Sequence, residues 1–216
     1  MQTSLSKIAK RASAITLLLI TLFALPTSAQ GVAEVWLDKA TEKLQNKGAE
    51  ISFRIDEDGM RLSGKLLMEG NKFYYDAETI KIWYDGTTQW TLQTDAGYSE
   101  LYISAPNVED LQLINPYLLL NHYKDLYTIA DGGEKIVHGK PTHKIELTPN
   151  DENQEVANVD LYIYSDGNLA AIDLTSSSGY SYEIEVRSMR SGLTFPKNTF
   201  TYQEKEYPAD EIIDMR

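Results

Sequence analysis

Apolar and polar residues alternate with a period of two along most of the chain after residue 48. Ile51, Phe53 and Ile55, for example, are separated by single polar residues, so their side chains fall on one face of an extended strand. Similar segments follow, joined by short turns rich in Gly, Asn and Asp, and this pattern predicts an antiparallel meander. The predicted strands are residues 51–56, 60–68, 73–75, 80–84, 89–93, 98–104, 127–130, 134–138, 142–147, 156–164, 169–176, 180–187 and a last one near 200–202.

Two segments change to the helical period. Residues 32–47 place Trp36, Ala40 and Leu44 on one stripe, and Gly48 supplies a C-terminal stop. A short helical break at residues 108–112 precedes a second, longer helix. Long meanders with few helices predict one curved sheet or open barrel.

The second helix, within residues 113–123, is unusually apolar. Pro116 suits the first turn of a helix, where a missing N–H costs no hydrogen bond. The run Leu118-Leu119-Leu120 then puts apolar side chains on more than one face, although a one-sided stripe would suffice to pack on a sheet. This pattern favours a lid that covers a lipid-binding cavity.

The N-terminus has the pattern of a secretory signal. Three basic residues precede an apolar segment at residues 14–25 and a cleavage site of small residues that ends at Ala29. The apolar segment is too short to span a membrane. We therefore expect a signal peptide at residues 1–29 and a single mature domain at residues 30–216, with an N-terminal anchor helix as the alternative.

Composition and charge exclude several functions. The chain has no Cys, which excludes thiol catalysis and thiolate metal sites and means that an exported chain would fold without disulfides. Removal of the three basic residues of the signal lowers the net charge from −12 to −15. Such a charge opposes contact with nucleic acid and with anionic membrane surfaces, so we expect neither as a partner.

Candidate catalytic or metal-binding residues are few. His138 and His143 flank a turn and could face each other as a metal or proton-transfer pair. Because no third ligand accompanies them, two exposed hairpin residues is the favoured interpretation. The acidic turns at residues 56–59 and 150–153 lack the spacing of a calcium loop. No nucleophile elbow, phosphate loop or dinucleotide fingerprint is present, so we expect no enzymatic activity and no cofactor.

Large aromatic residues concentrate in the middle strands. One interpretation is an aromatic-rich core. Their number on consecutive strands, directly before the apolar helix, instead favours the wall of an apolar binding cavity. The residues are Phe73, Tyr75, Trp83, Trp90, Tyr98 and Tyr102.

Several short motifs follow the order found in one known family. Ile51-Ser52-Phe53 and Gly64-Lys65-Leu66 resemble its first two strands, and Asp85-Gly86-Thr87-Thr88-Gln89-Trp90 resembles its Asp-Gly-x-x-x-Trp hairpin. Residues 114–123 fall where its lid helix lies, and Asn198-Thr199-Phe200-Thr201-Tyr202 resembles its late Phe-x-Phe segment. Over essentially the whole mature sequence, the chain resembles the LolA family of periplasmic lipoprotein carriers.

The resemblance implies a fold, a location and a set of partners. The expected fold is α+β: an incomplete antiparallel β-barrel, made by a strongly curved sheet, with helices covering a hydrophobic cavity. The expected function is to shield the acyl chains of lipoproteins in the periplasm, between an inner-membrane ABC transporter that releases them and an outer-membrane acceptor. The candidate acyl-binding residues are Phe53, Leu66, Met68, Phe73, Tyr75, Ile82, Trp90, Leu92 and Ile103 on the wall, and Leu118, Leu119 and Tyr123 on the lid.

One position departs from the family pattern. In the best-studied branch an Arg-Pro pair ends the second strand, and its Arg side chain hydrogen-bonds the closed lid. Gly70-Asn71 stands there in this chain, so we expect that latch to be missing. Two other functions stay open: a periplasmic lipid or lipoprotein sensor with the same fold, and a secreted hydrolase that uses a pair of carboxylates.

Overall fold

Strands dominate the described part of the chain, as the alternation of apolar residues predicts. The computed structural model describes residues 29–45, 48–57, 60–107, 111, 114–151, 154 and 156–216. Almost all of the predicted signal peptide and most of the break at residues 108–112 lie outside these residues. The helices are α1 (Ala29–Leu44) and α2 (Pro116–Leu126). The strands are β1 (Gly48–Glu57), β2 (Met60–Glu69), β3 (Lys72–Ala77), β4 (Ile80–Tyr84), β5 (Gln89–Asp95), β6 (Tyr98–Ser104), β7 (Tyr127–Val137), β8 (Lys140–Pro149), β9 (Val156–Tyr164), β10 (Leu169–Ser176), β11 (Ser181–Leu193) and β12 (Glu211–Asp214).

These strands form one curved, unclosed sheet. Its order is β12-β6-β5-β4-β3-β2-β1-β11-β10-β9-β8-β7, so β12 and β7 are its two edges in the described residues. Neighbouring strands are antiparallel, except that β12 runs parallel to β6. Side chains of β4 and β10 line the same cavity although β3, β2, β1 and β11 lie between them in the sheet. The prediction of a strongly curved, mainly antiparallel sheet is therefore confirmed.

Two strand predictions differ from the structure. Residues 127–137 are one strand rather than two, bent by a bulge between Asp131 and Gly133. The predicted strand near residues 200–202 is wrong, because these residues lie in turns and bends. Phe200 is nevertheless buried, and its ring packs edge-on against Phe195 with centroids 5.5 Å apart. An apolar residue that anchors a turn therefore produced the strand-like pattern.

The helices lie at the β7–β8 end of the concave face. Helix α1 contacts β7, β8 and α2, and the ring of Trp36 stacks on His143 of β8 with centroids 4.8 Å apart. The Thr41 hydroxyl of α1 shares its hydrogen between the Leu37 carbonyl of its own helix, at 2.8 Å, and the Leu120 carbonyl of α2, at 3.2 Å. Stacking of aromatic rings adds to the energy of burial. These contacts fix both helices over one half of the sheet.

A second apolar cluster lies on the convex face. Trp83, Leu92 and Leu101 of β4, β5 and β6 are buried there beneath the segment that leads to β12. The Trp83 ring contacts Tyr202 edge-on at 5.5 Å and Tyr207 at 5.0 Å between centroids. Strand β4 is thus apolar on both faces, because Ile80 and Ile82 line the concave cavity and Trp83 faces this cluster.

The bulge in β7 provides an acid-sensitive contact. The Asp131 carboxylate accepts a hydrogen bond from the Gly133 amide at 2.8 Å and lies 2.6 Å from Nε2 of His143. The hydrogen bond from the Gly133 amide is the main cause that lowers the pKa of Asp131 below its ordinary value of 3.8, and the interaction with His143 adds to it. A carboxyl group whose pKa is lower in the folded protein than in the unfolded chain stabilises the fold at pH values above its unfolded pKa. This stabilisation is lost as the pH falls through the folded pKa.

We expect Asp131→Asn to remove this acid sensitivity. The amide oxygen can still accept from Gly133 but does not titrate, so the variant should be less stable than the wild type at neutral pH. The melting temperatures of the two proteins, compared from pH 7 downward, should converge below about pH 4. If the melting temperature of the variant differed from that of the wild type by the same amount at every pH, the Asp131 carboxylate would not be the source of the acid sensitivity.

Candidate functional site

An apolar cavity of about 380 Å³ lies on the concave face, beside the half that the helices cover. Strands β1 to β4, β10, β11 and the segment that begins α2 provide its walls. Among the fifteen lining side chains, only two tyrosines carry a polar atom. The lining residues are Ile51, Phe53, Ile55, Leu66, Tyr75, Ile80, Ile82, Ile114, Pro116, Leu169, Ile172, Leu174, Tyr182, Ile184 and Val186.

Strand register places these side chains together. Ile55 lies opposite Ile184, and Ile184 lies opposite Ile172. Directly paired residues of antiparallel strands point to the same face, so a branched aliphatic row crosses β1, β11 and β10. The alternating residues of these strands point to the convex face and are largely charged, such as Arg54 and Glu185. The sequence therefore builds a wall that offers dispersion contacts and few hydrogen bonds.

The cavity is deep at one end and open at the other. Along β1, Ile51 is only 3% exposed, whereas Ile55 is half-buried. Along β10, Leu169 is buried and Leu174 is half-buried. The opening therefore lies at the end of the sheet that carries the β1–β2, β3–β4 and β10–β11 turns.

Phe53 and Tyr75 form the aromatic part of the wall. Their rings stack with centroids 5.3 Å apart and planes 24° apart. Gly64 makes room for this pair, since a Cβ atom there would lie 2.4 Å from Cζ of Phe53. Burial raises the pKa of Tyr75, so its hydroxyl stays neutral under physiological conditions. This part of the wall therefore carries no charge.

Four of the predicted wall residues line the cavity. They are Phe53, Leu66, Tyr75 and Ile82. Met68 and Phe73 belong to the same concave core but are almost completely buried, at 1% and 0% exposure. The structure places these two on the same face as Leu66 and Tyr75, two residues nearer to the β2–β3 turn and outside the cavity lining.

Trp90, Leu92 and Ile103 lie on the convex face, so their assignment to the concave wall is corrected. They pack in the cluster formed around Trp83. Register gives the reason: Trp83 lies opposite Trp90, and Trp90 lies opposite Ile103. Since Ile82 lines the cavity, its chain neighbour Trp83 and every residue in register with Trp83 point away from it.

The predicted lid residues face inward but lie away from the cavity. Leu118, Leu119 and Tyr123 are each 3% exposed and belong to the concave core. They are not among the residues that line the cavity. Ile114 and Pro116, directly before and at the start of α2, face it instead. The part of this segment that can cover a ligand is therefore its N-terminal end.

The other lining residues were not predicted as site residues. A signal for some of them exists, because Tyr182, Ile184 and Val186 alternate with charged residues. Their place on this wall depends on the pairing of β11 with β1, which lies far away in the sequence. The unpredicted residues are Ile51, Ile55, Ile80, Ile114, Pro116, Leu169, Ile172, Leu174, Tyr182, Ile184 and Val186.

Asn115 ties the start of α2 to the closed end of the cavity. Its fully buried side chain donates from Nδ2 to the carbonyls of Gly70 and Asn71, at 3.3 and 3.4 Å. Its Oδ1 accepts from the Tyr117 amide at 3.0 Å and caps the helix. The β2–β3 turn, where Gly70-Asn71 stands in place of the Arg-Pro pair discussed above, thus offers main-chain acceptors to this asparagine.

We expect Asn115→Ala to destabilise the protein by about 1–3 kcal/mol, because the Gly70 and Asn71 carbonyls lose a donor and α2 loses its cap. Asn115→Asp should be at least as destabilising, since it keeps the cap but places a carboxylate against two carbonyl oxygens. Urea unfolding measures both effects. As a control, Asn121→Ala removes an exposed side-chain bond to Tyr117 and should change the stability little. Wild-type stability of Asn115→Ala would contradict the assigned contact.

The two histidines of the β7–β8 hairpin have separate partners. His143 is buried against Trp36, whereas Nδ1 of His138 lies 3.2 Å from Glu185 on the convex face. The interpretation of both as exposed hairpin residues is therefore wrong for His143. Within the described residues, no group of three or more His, Cys, Asp or Glu side chains is arranged to hold a metal ion. No helix in the described part of the chain has both the length and the apolar character needed to cross a membrane.

Comparison with known proteins identifies the family. The chain has a fold similar to that of an uncharacterized conserved protein from Thermus thermophilus, with a TM-score of 0.57 and 14% identity over 85% of this chain and 99% of that chain. It is also similar to a LolA superfamily protein from Nitrosomonas europaea (TM-score 0.42, 14% identity, 79% and 97% covered). A third similar structure is the MucA/MucB complex of Pseudomonas aeruginosa (TM-score 0.43, 16% identity, 81% and 62% covered). Comparison with curated protein sequences gives no match. Residues 24–173, more than half of the chain, match the model of the outer membrane lipoprotein carrier protein LolA, and the chain therefore belongs to the LolA family.

Proposed function

We propose that this protein carries acylated lipoproteins through the periplasm and shields their acyl chains in the concave cavity. The observation that carries the proposal is a cavity of about 380 Å³ whose lining is almost entirely aliphatic and aromatic, in a chain of the LolA family. Phe53, Leu66, Tyr75 and Ile82 are the acyl-contacting residues that sequence and geometry both favour.

The energetics suit reversible carriage. Burial of an acyl chain is worth about 0.8 kcal/mol per CH₂ group, so a single long chain gains on the order of 10 kcal/mol. Apolar contact is not directional, so a flexible chain can slide along this wall without breaking specific bonds. Neutral Tyr75 keeps charge out of the wall. The same surface can therefore bind tightly and still release its cargo to an acceptor with more apolar surface.

The proposal includes the remaining features of a carrier. A signal peptide at residues 1–29 would export a single domain at residues 30–216. The curved sheet would act as an incomplete barrel, and the segment around Asn115 would cover the closed end of its cavity. An inner-membrane ABC transporter would supply the lipoprotein, and an outer-membrane acceptor would receive it. The role is binding and transfer, without catalysis and without a cofactor.

Native mass spectrometry tests the proposal. The purified protein is incubated with a triacylated lipoprotein and, separately, with the same lipoprotein after deacylation. A stable one-to-one complex with the acylated form alone is the expected result. Equal binding of both forms, or binding of neither, would count against acyl-dependent carriage.

A further inference from the structure

A packed row of side chains forms the closed end of the cavity. The last row that lines the cavity runs in register across β1 to β4. It consists of Ile51, Leu66, Tyr75 and Ile82. The next row on the same face, two residues nearer to the β2–β3 turn, contains Ala49, Met68 and Phe73, each no more than 1% exposed and none of them in the lining. The cavity therefore ends between these two rows.

The start of α2 is fixed across this closed end. Asn115 is fully buried and donates to the carbonyls of Gly70 and Asn71 in the β2–β3 turn, and its chain neighbour Pro116 lines the cavity. Closely packed interiors resist the insertion of even a few extra atoms. An acyl chain that enters through the opening should therefore stop at the row of Ile51.

The space in front of this stop has the size of one chain of medium length. A methylene group takes about the room of a water molecule in the liquid, roughly 30 Å³, so a cavity of about 380 Å³ holds about twelve of them. The wall gives a similar length. Ile51 and Ile55 are about 13 Å apart along β1 at about 3.3 Å per residue, and an extended chain advances about 1.2 Å per bond, one third of an extended residue. Both measures correspond to about 11–13 carbon atoms.

We infer that the cavity takes one acyl chain and measures its length from the closed end, up to about twelve carbon atoms. This inference rests on the proposed function and defines the ligand of that site more closely. The methyl end of the chain lies against Ile51 and Leu169, the buried lining residues of β1 and β10. Carbon atoms beyond the limit stay at the opening, where water reaches them, and a second chain has no space.

Calorimetry with a series of acylated peptides tests the limit. The peptides share one sequence and carry a single N-terminal acyl chain of 8 to 16 carbon atoms, and the unacylated peptide is the control. Each added CH₂ group should tighten binding about three- to fourfold as long as it is buried. The affinity should stop rising at about twelve carbon atoms, and the unacylated peptide should not bind measurably.

A peptide with two 12-carbon chains tests the number of chains. It should bind within about twofold of the peptide with one such chain, because only one of the two can enter at a time. Binding that is tighter by more than tenfold would show that a second chain is buried and would overturn the inference.

A matched pair of variants on β1 locates the stop. Ile51→Ala makes room at the closed end, so the limit should move to chains that are two or three carbon atoms longer. Ile55→Ala removes the same atoms at the open end and should not move the limit to longer chains. Circular dichroism checks the fold of both. If Ile51→Ala does not fold, Ile51→Val should move the limit by about one carbon atom.

The outcomes separate this inference from the proposed function. An affinity that rises with the same slope up to 16 carbon atoms would overturn the length limit and leave acyl carriage standing. A limit that moves equally in the Ile51 and Ile55 variants would overturn the stop at the closed end. Failure of every acylated peptide to bind would overturn both the inference and the proposed function.

Discussion

An Ile82→Asp variant is expected to lose acyl binding while it stays folded. The side chain of Ile82 lines the cavity and is only half-buried, so in the free protein the carboxylate can reach water. A bound acyl chain would remove that water and leave the charge without a partner. Burial of an unpaired charge costs several kcal/mol, so binding should weaken by at least about tenfold. Titration with an acylated peptide measures the affinity, and circular dichroism checks the fold.

The matched control is Ile136→Asp. This variant has the same Ile-to-Asp change at a position that is 72% exposed and outside the cavity lining. This variant should bind like the wild type. If Ile82→Asp also bound like the wild type, the cavity would not be the acyl site.

A Leu119→Glu variant is expected to unfold. Leu119 is 3% exposed in the core between the sheet and the helices. The substitution both removes aliphatic contacts and buries a carboxylate, at a cost of about 5 kcal/mol or more. That cost is comparable with the whole stability of many proteins, about 5–15 kcal/mol. Thermal unfolding followed by circular dichroism should show a lost or strongly lowered transition.

Asn121→Glu is the control on the same helix, because Asn121 is exposed. This variant should keep the wild-type transition. A folded Leu119→Glu protein with reduced acyl binding would instead support the original lid assignment, in which Leu119 faces the ligand. The two outcomes separate a core position from a binding position.

Local patterns predicted the strands well because each strand carries its own periodicity. Ile51, Phe53 and Ile55 alternate with polar residues and form β1 where expected. The β7 bulge was missed because Gly132 and Gly133 read as a break between strands, while the ladder continues across them. β12 was missed because its four residues are too short for a period and depend on parallel pairing with β6.

The candidate site was predicted less completely, because it depends on which strands meet. Alternation places Ile82 and Trp83 on opposite faces of the sheet but does not say which of these faces lines the cavity. Both residues are apolar, since the segment that contains Tyr202 and Tyr207 covers the convex face. Ile184 faces the cavity only because β11 pairs with β1. The apolar run in α2 indicated burial correctly, but burial in a core and contact with a ligand leave the same signal in the sequence.

The pairing of β1 with β11 also sets the order in which this protein can fold. Ile51 lies opposite Met189, whereas the other antiparallel pairs join consecutive strands that can close as local hairpins. Closing so long a loop costs conformational entropy before any contact offsets it, and such non-local pairings slow folding. Strands β1 to β6 and β7 to β11 can therefore each assemble first, and we expect their joining to be the late and slow step. Because the cavity walls come from both groups, the ligand site exists only once that step is complete.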